Sequence, residues 1–144
     1  MPLVSFPFSQ LSDLVLHEKD PSVGYAREVV FVDVAADTVV TPGTVAFRAK
    51  GNTEAPYALL TAAAQLVNAN EFIVLFGDRY SAKDSWTLLA ADTTDNAVGF
   101  VRDNVILKDY LLKQKYVPSV LTLAQFGALV HLLKAQNVIL ELTV

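Results

Sequence analysis

The sequence predicts a mainly β fold of the α+β class, a small barrel-like or sandwich-like domain with one amphipathic helix near the C-terminus and an extended N-terminal arm. Short runs of β-branched and aromatic residues separated by turn residues recur along the chain, as in REVVFVDV at 27–34 and EFIVLF at 71–76. Helical periodicity is clear in one long segment, residues 123–136. Prolines oppose a helix near the N-terminus. We therefore expect an arm over residues 1–24 and a single β-rich domain over residues 25–144.

The individual strands are predicted from alternation and turn residues. Residues 27–34 carry apolar side chains on both alternating faces, which predicts a strand near the middle of a sheet that is covered on both sides. Pro42 and Gly43 suit the central positions of a type II turn, and they predict a β-hairpin or a close relative leading into residues 45–48. Residues 58–67 fit either a short helix or the end of a strand. Further strands are predicted at 71–76, 86–89, 97–101 and 105–112, the last two separated by the turn Asp103-Asn104.

The late helix has the strongest local signal. Thr122 and Gln125 form the pattern of a capping box, and the apolar residues Phe126, Leu129, Val130 and Leu133 repeat at helical spacing. Asn137 suits a left-handed end to this helix. Residues 138–144 alternate again and predict a final strand.

Composition limits the classes of function. The 144 residues include no cysteine, which excludes disulfides, thiolate nucleophiles and zinc fingers. The formal net charge of -4 argues against a nucleic-acid partner, and no apolar run approaches the roughly 20 residues that span a bilayer. The apolar start has no preceding basic residue, so we expect it to be retained. Apolar residues reach 53% and charged residues only 18%, which indicates either large protein contacts or a well-filled core.

No set of residues has the spacing of a catalytic or metal site. His17-Glu18-Lys19-Asp20 is interpreted as a solvated turn, because adjacent side chains do not converge on one point. His131 is predicted at the boundary of the helix stripe, and neither histidine accompanies a Gly-x-Ser-x-Gly motif. Phosphate-binding glycine motifs are missing from the sequence. A basic and aromatic stretch is interpreted as a strand with a solvated face: Lys108, Tyr110, Lys113, Lys115 and Tyr116. We expect no enzyme activity, no cofactor and no metal.

Three segments together resemble the lambda-like phage head decoration (capsid cement) protein family. The first is HEKDPSVGYAREVVFVDVAADTVVTPGTVAFR, whose matching residues are Tyr25, Arg27, Glu28, Val30 and Gly43-Thr44-Val45. The others are DNAVGFVRDNVILKDYLL, from 95 to 112, and LTLAQFGALVHLLKAQNVIL, which resembles the late helix and strand of that family. Asn137 stands where the family usually has glycine. The segment around 68–86 is longer than in short members and predicts an elaborated loop or an added strand pair.

The resemblance implies a structural protein of the virion. Such a protein binds the outer surface of the expanded capsid, usually as a homotrimer, and stabilises the shell by bridging major capsid protein subunits. Its N-terminal arm engages the capsid, and the candidate apolar anchors of the arm are Leu3, Phe6, Phe8, Leu11, Leu14 and Leu16. We expect that removal of residues 2–20 leaves a folded domain that no longer binds capsids.

The alternative hypothesis is a β-rich adhesion or carbohydrate-binding module on a virion or cell surface. Its support is a set of aromatic side chains that the sequence places in or near loops: Tyr57, Tyr80, Trp86 and Tyr110. Clustering of Trp86 with Tyr80 at a loop tip favours this hypothesis, and burial of Trp86 weakens it. A small β-fold enzyme ranks third.

Overall fold

The computed structural model describes residues 14–19 and 26–141, and within them the chain is mainly β, with two helices late in the sequence. The strands are β1 (Val15–His17), β2 (Arg27–Val30), β3 (Thr38–Val40), β4 (Thr44–Ala49), β5 (Ala58–Leu59), β6 (Asn70–Gly77), β7 (Trp86–Leu88), β8 (Ala97–Phe100), β9 (Val105–Lys108) and β10 (Val138–Glu141). The helices are α1 (Tyr110–Tyr116) and α2 (Leu123–Ala135), and a 3-10 turn covers Ala63–Gln65. The predicted β-rich α+β class is confirmed.

The described strands form three sheets. The largest has the order β2-β8-β6-β4-β5, with antiparallel pairing throughout. The second has the order β1-β9-β10, in which β9 and β10 are parallel, and the third is the ribbon β3-β7. One parallel bridge, Val32–Tyr57, connects the chain after β2 to the chain before β5. The predicted small barrel is not confirmed.

Strand β6 is the centre of the molecule. Its side chains alternate between two hydrophobic clusters, with Phe72, Val74 and Phe76 in one and Ile73 and Leu75 in the other. This burial on both faces explains why the strand is a continuous apolar run in the sequence. The larger cluster contains the buried faces of both helices, and the smaller cluster contains Trp86 and Leu88 from the ribbon.

Helix α2 begins and ends as predicted. The hydroxyl of Thr122 accepts a hydrogen bond from the Gln125 amide at 3.2 Å, and the Gln125 side chain accepts one from the Thr122 amide at 2.9 Å. The buried residues are Phe126, Leu129, Leu132 and Leu133, so Leu132 takes the place that the spacing gave to Val130, which is half-buried. Asn137 has a φ of 63°, in the left-handed region that stops the helix.

Three strand predictions are wrong. Strand β2 is an edge strand of four residues and does not lie in the middle of a sheet. The turn at 41–44 forms, with a φ of 94° at Gly43, but it does not close a hairpin, because β3 pairs with β7 while β4 pairs with β5 and β6. The strand predicted at 105–112 ends at Lys108, and α1 follows because Leu112 and Tyr116, four residues apart, both face the core.

The two remaining predictions concern the middle of the chain, residues 58–86. Residues 58–67 form β5 and then the 3-10 turn, so both parts of that open alternative occur in shortened form. The segment around 68–86, predicted as an elaborated loop or an added strand pair, contains all of the central strand β6, with a turn at 68–69 before it and a loop at 78–85 after it.

Candidate interaction surface at the N-terminal junction

The described part of the predicted arm is built into the domain. Val15 and His17 of β1 pair with Leu107 and Ile106 of β9. Leu14 is fully buried in the larger core cluster, so its prediction as a capsid anchor is wrong. Leu16 points away from the core and is 49% exposed, which leaves it available to a partner. Four other predicted anchors lie outside the described residues: Leu3, Phe6, Phe8 and Leu11.

An ion pair with a buried carboxylate fastens this segment to the large sheet. The Arg27 guanidinium donates two hydrogen bonds to the Glu18 carboxylate, at 2.7 and 2.9 Å, and the Glu18 side chain is only 4% exposed. The prediction of a solvated turn is therefore wrong for Glu18. The guanidinium also lies 5.1 Å from the Phe76 ring centre and 5.7 Å from that of Phe100. Both hydrogen bonds and ring contacts hold the pair in one geometry, so the chain enters the domain from a fixed point.

An apolar groove runs beside the same edge of the large sheet. It has a volume of about 270 Å³ and is lined mainly by β2 and by the loop after β6. Val29 is 43% exposed on β2, and Tyr80 is 81% exposed on the loop. Val98 and Ala82 also line it, and the Arg79 guanidinium lies 5.2 Å from the Tyr80 ring centre. The groove thus offers apolar side chains next to a strand edge.

A second surface region, around Tyr57, carries charged side chains that are paired. Arg48 donates a hydrogen bond of 2.6 Å to Glu71 and lies 4.5 Å from the Tyr57 ring centre, and Arg102 pairs with Glu28 at 2.9 Å. Burial raises the pKa of Tyr57 to about 12, against the opposing charge of Arg48. Depressions of about 360 and 440 Å³ flank this network. The Arg48–Glu71 and Arg102–Glu28 pairs thus bring opposite charges together in this region.

The structure separates the residues that carry acid–base chemistry. His17 is exposed on β1, and His131 is exposed on α2, as the sequence predicted for the latter. Among the described residues, no group of three or more His, Asp or Glu side chains is placed to hold a metal ion. In the same residues, neither helix is long and apolar enough to cross a membrane.

The basic and aromatic stretch does not form a strand face. Lys113, Lys115 and Tyr116 belong to α1, and the Tyr116 side chain is buried. The hydroxyl of Tyr116 accepts a hydrogen bond of 2.7 Å from the Val45 amide, and burial raises the pKa of Tyr116 to about 12. Burial lowers the pKa of Lys115, whose amine contacts the Thr41 hydroxyl. This stretch therefore docks α1 against the turn before β4.

The aromatic residues of the adhesion hypothesis do not form a common surface. Tyr57 and Trp86 are buried, Tyr110 is half-buried, and Tyr80 is exposed on its loop. Comparisons with family models, with curated proteins and with solved structures find no match to this chain.

Sequence reasoning missed the most specific parts of the junction. Glu18 and Arg27 are nine residues apart and their pairing follows no helical or strand period. Val29 belongs to a run with apolar residues on both alternating faces, which is typical of a central strand. The sequence therefore did not indicate that Val29 lies on an edge strand. The usable signal was the apolar composition of the arm itself, which indicated a segment in need of a partner.

Proposed function

We propose that this protein decorates the outer surface of an expanded phage capsid and stabilises it by bridging major capsid protein subunits. The observation that carries the proposal is the fixed junction at Leu14–Glu18. Beyond it lie thirteen residues with four apolar side chains predicted as anchors, joined to a folded domain by a buried leucine and a partly buried ion pair. The sequence resemblance to head decoration proteins is the reason for proposing the major capsid protein as the partner of the arm.

The arm is long enough to cross a subunit boundary. Thirteen extended residues span up to about 45 Å, which exceeds the diameter of a small domain. An extended apolar segment can add a strand to an exposed sheet edge of the capsid protein and place Leu3, Phe6, Phe8 and Leu11 in pockets there. Leu16, which is exposed at the base of the arm, extends the same contact.

The stabilising mechanism is thermodynamic linkage. A protein that binds the assembled shell and not its separated subunits shifts the equilibrium toward the shell by mass action. Many copies on one shell, proposed as trimers, make modest individual contacts effective. This function needs no catalytic group, cofactor or metal, and its place is the outer surface of the virion.

Co-sedimentation with undecorated, expanded heads of the phage that encodes the protein tests this proposal. The full chain should bind saturably, and the double variant Phe6→Ser, Phe8→Ser should lose most of the binding. Val39→Ser is the matched control, because it removes an apolar group that is 67% exposed on the domain. Equal binding by the arm variant and the control rules out the arm as the attachment. Light scattering of the free protein reports whether trimers form before binding.

Any deletion of the arm has to end at Asp13. The deletion of residues 2–20 considered above removes Leu14 and Glu18, which belong to the folded domain. Loss of binding by that longer deletion therefore says nothing about the arm. Burial of Trp86 weakens the adhesion hypothesis, as stated above, and Tyr80 alone of its four aromatic residues is exposed.

A further inference from the structure

The outer edge of β2 has backbone groups without a partner among the described residues. The carbonyls of Ala26 and Val30 accept hydrogen bonds from the amides of Val101 and Asn96, on the side of β8. Because backbone groups alternate along an antiparallel strand, those of Arg27 and Val29 face away from β8. The same alternation of backbone groups continues in residues 31–33, after the end of β2.

After β2, another segment of the chain forms hydrogen bonds with the outer edge. The Phe31 carbonyl accepts a hydrogen bond from the Tyr57 amide, and the Asp33 amide donates one to the Tyr57 carbonyl, each at 2.9 Å. The edge is therefore occupied at Phe31 and Asp33 and open at Arg27 and Val29. Open strand edges take up further strands, and proteins usually cover or charge them.

The open backbone edge belongs to β2, and the apolar groove lies beside the same strand. The side chains of Arg27 and Val29 lie on the side of the sheet that carries Phe76, Phe100 and Val98. A strand added here places every second side chain over the groove. The site therefore fits an extended segment that is apolar on one face and carries hydrogen-bonding groups on its backbone.

The N-terminal arm contains a segment of this kind. Residues 4–8 read VSFPF, so Val4, Phe6 and Phe8 share one face of an extended chain while Ser5 and Pro7 share the other. In antiparallel addition, residues whose side chains lie over the groove direct their backbone groups toward β2. Pro7, which has no amide hydrogen, then faces solvent, where none is needed.

We propose that residues 6–8 add to the outer edge of β2 of the same chain, antiparallel, with Phe6 opposite Val29, Phe8 opposite Arg27 and the apolar face over the groove; Val4 lies beyond the open edge, because Tyr57 occupies the edge at Phe31. The six residue-to-residue steps from Phe8 to Leu14 span up to about 20 Å, and Glu18, four residues after Leu14, is hydrogen-bonded to Arg27 at the start of β2. This docking covers two unsatisfied surfaces of the free protein at once. It does not depend on capsid binding, although a capsid edge that binds the arm competes with β2 for it.

Hydrogen exchange of single backbone amides in the full chain, followed by NMR, tests the docking. The Val29 amide should exchange at least about tenfold more slowly in the native protein than in the Phe6→Ser, Phe8→Ser variant. The control variant Leu3→Ser, Leu11→Ser removes two apolar groups from the same arm outside residues 4–8, and it should keep the protection. The Val74 amide in the central strand is the internal reference, because its exchange should be equal in all three proteins.

Three results overturn the proposal. Fast exchange of Val29 in the native protein means that the edge is open. An equal loss of protection in both variants means that the arm binds without the proposed register. Protection that increases with protein concentration means that the arm of a second copy occupies the edge.

Discussion

Substitution of Leu14 tests whether the base of the arm is part of the folded domain. Leu14 is completely buried and lies in the larger core cluster, so Leu14→Ala removes buried methyl groups and leaves a cavity. The expected loss in the free energy of unfolding is about 3–5 kcal/mol. For a domain of this size, the melting temperature should fall by roughly 10–15 °C. Urea unfolding followed by fluorescence suits the measurement, because the chain has a single tryptophan and it is buried.

The matched control is Leu16→Ala, two residues further along the chain. Leu16 is 49% exposed, and its truncation should reduce the free energy of unfolding by no more than about 1 kcal/mol. Equal and small effects of the two substitutions refute the reasoning, because they show that Leu14 makes no core contact. Head binding should be insensitive to Leu14→Ala wherever the protein is folded.

The remaining predictions concern the ion pair and the buried tyrosines. Arg27→Ala leaves a buried carboxylate unpaired and should cost about 2–3 kcal/mol in chemical unfolding, against about 1 kcal/mol or less for Arg102→Ala, whose ion pair is more exposed; equal costs contradict the anchoring role. Tyr116→Phe removes the acceptor of the Val45 amide and should cost about 1–3 kcal/mol by the same assay, whereas an unchanged midpoint excludes that hydrogen bond. Burial raises the pKa of both Tyr57 and Tyr116 to about 12, so the folded protein keeps protons that the unfolded chain loses near pH 10. The free energy of unfolding should therefore fall between pH 10 and 12 by roughly 1.4 kcal/mol per pH unit for each tyrosine. A free energy of unfolding that stays constant over this pH range contradicts the prediction.

Local signals in the sequence were sufficient for α2 and its ends. The capping box at Thr122 and the left-handed stop at Asn137 depend on a few neighbouring residues, and each has the predicted geometry. Residues 105–112 were predicted as one strand, although the strand ends at Lys108 and the chain then forms α1. Alternation and helical spacing overlap in so short a run, and burial of residues four apart decided the outcome.

Pairing between distant segments could not be predicted from the sequence. The turn at 41–44 has the expected chemistry, but β3 pairs with β7 more than forty residues later and not with β4. Which edge a strand occupies is likewise a property of the whole sheet. The candidate surface was likewise predictable only in part. Composition indicated the arm, whereas the Glu18–Arg27 pair and the open edge of β2 could be seen only in the folded structure.

The most direct test of the proposed function is the thermal stability of expanded, undecorated phage heads, measured with increasing amounts of the purified protein. The account predicts that the temperature of head disruption rises and then saturates as binding sites fill, and that the Phe6→Ser, Phe8→Ser variant gives little or no rise at the same concentrations. A temperature of disruption that stays constant when the native protein is in excess contradicts capsid stabilisation as its function.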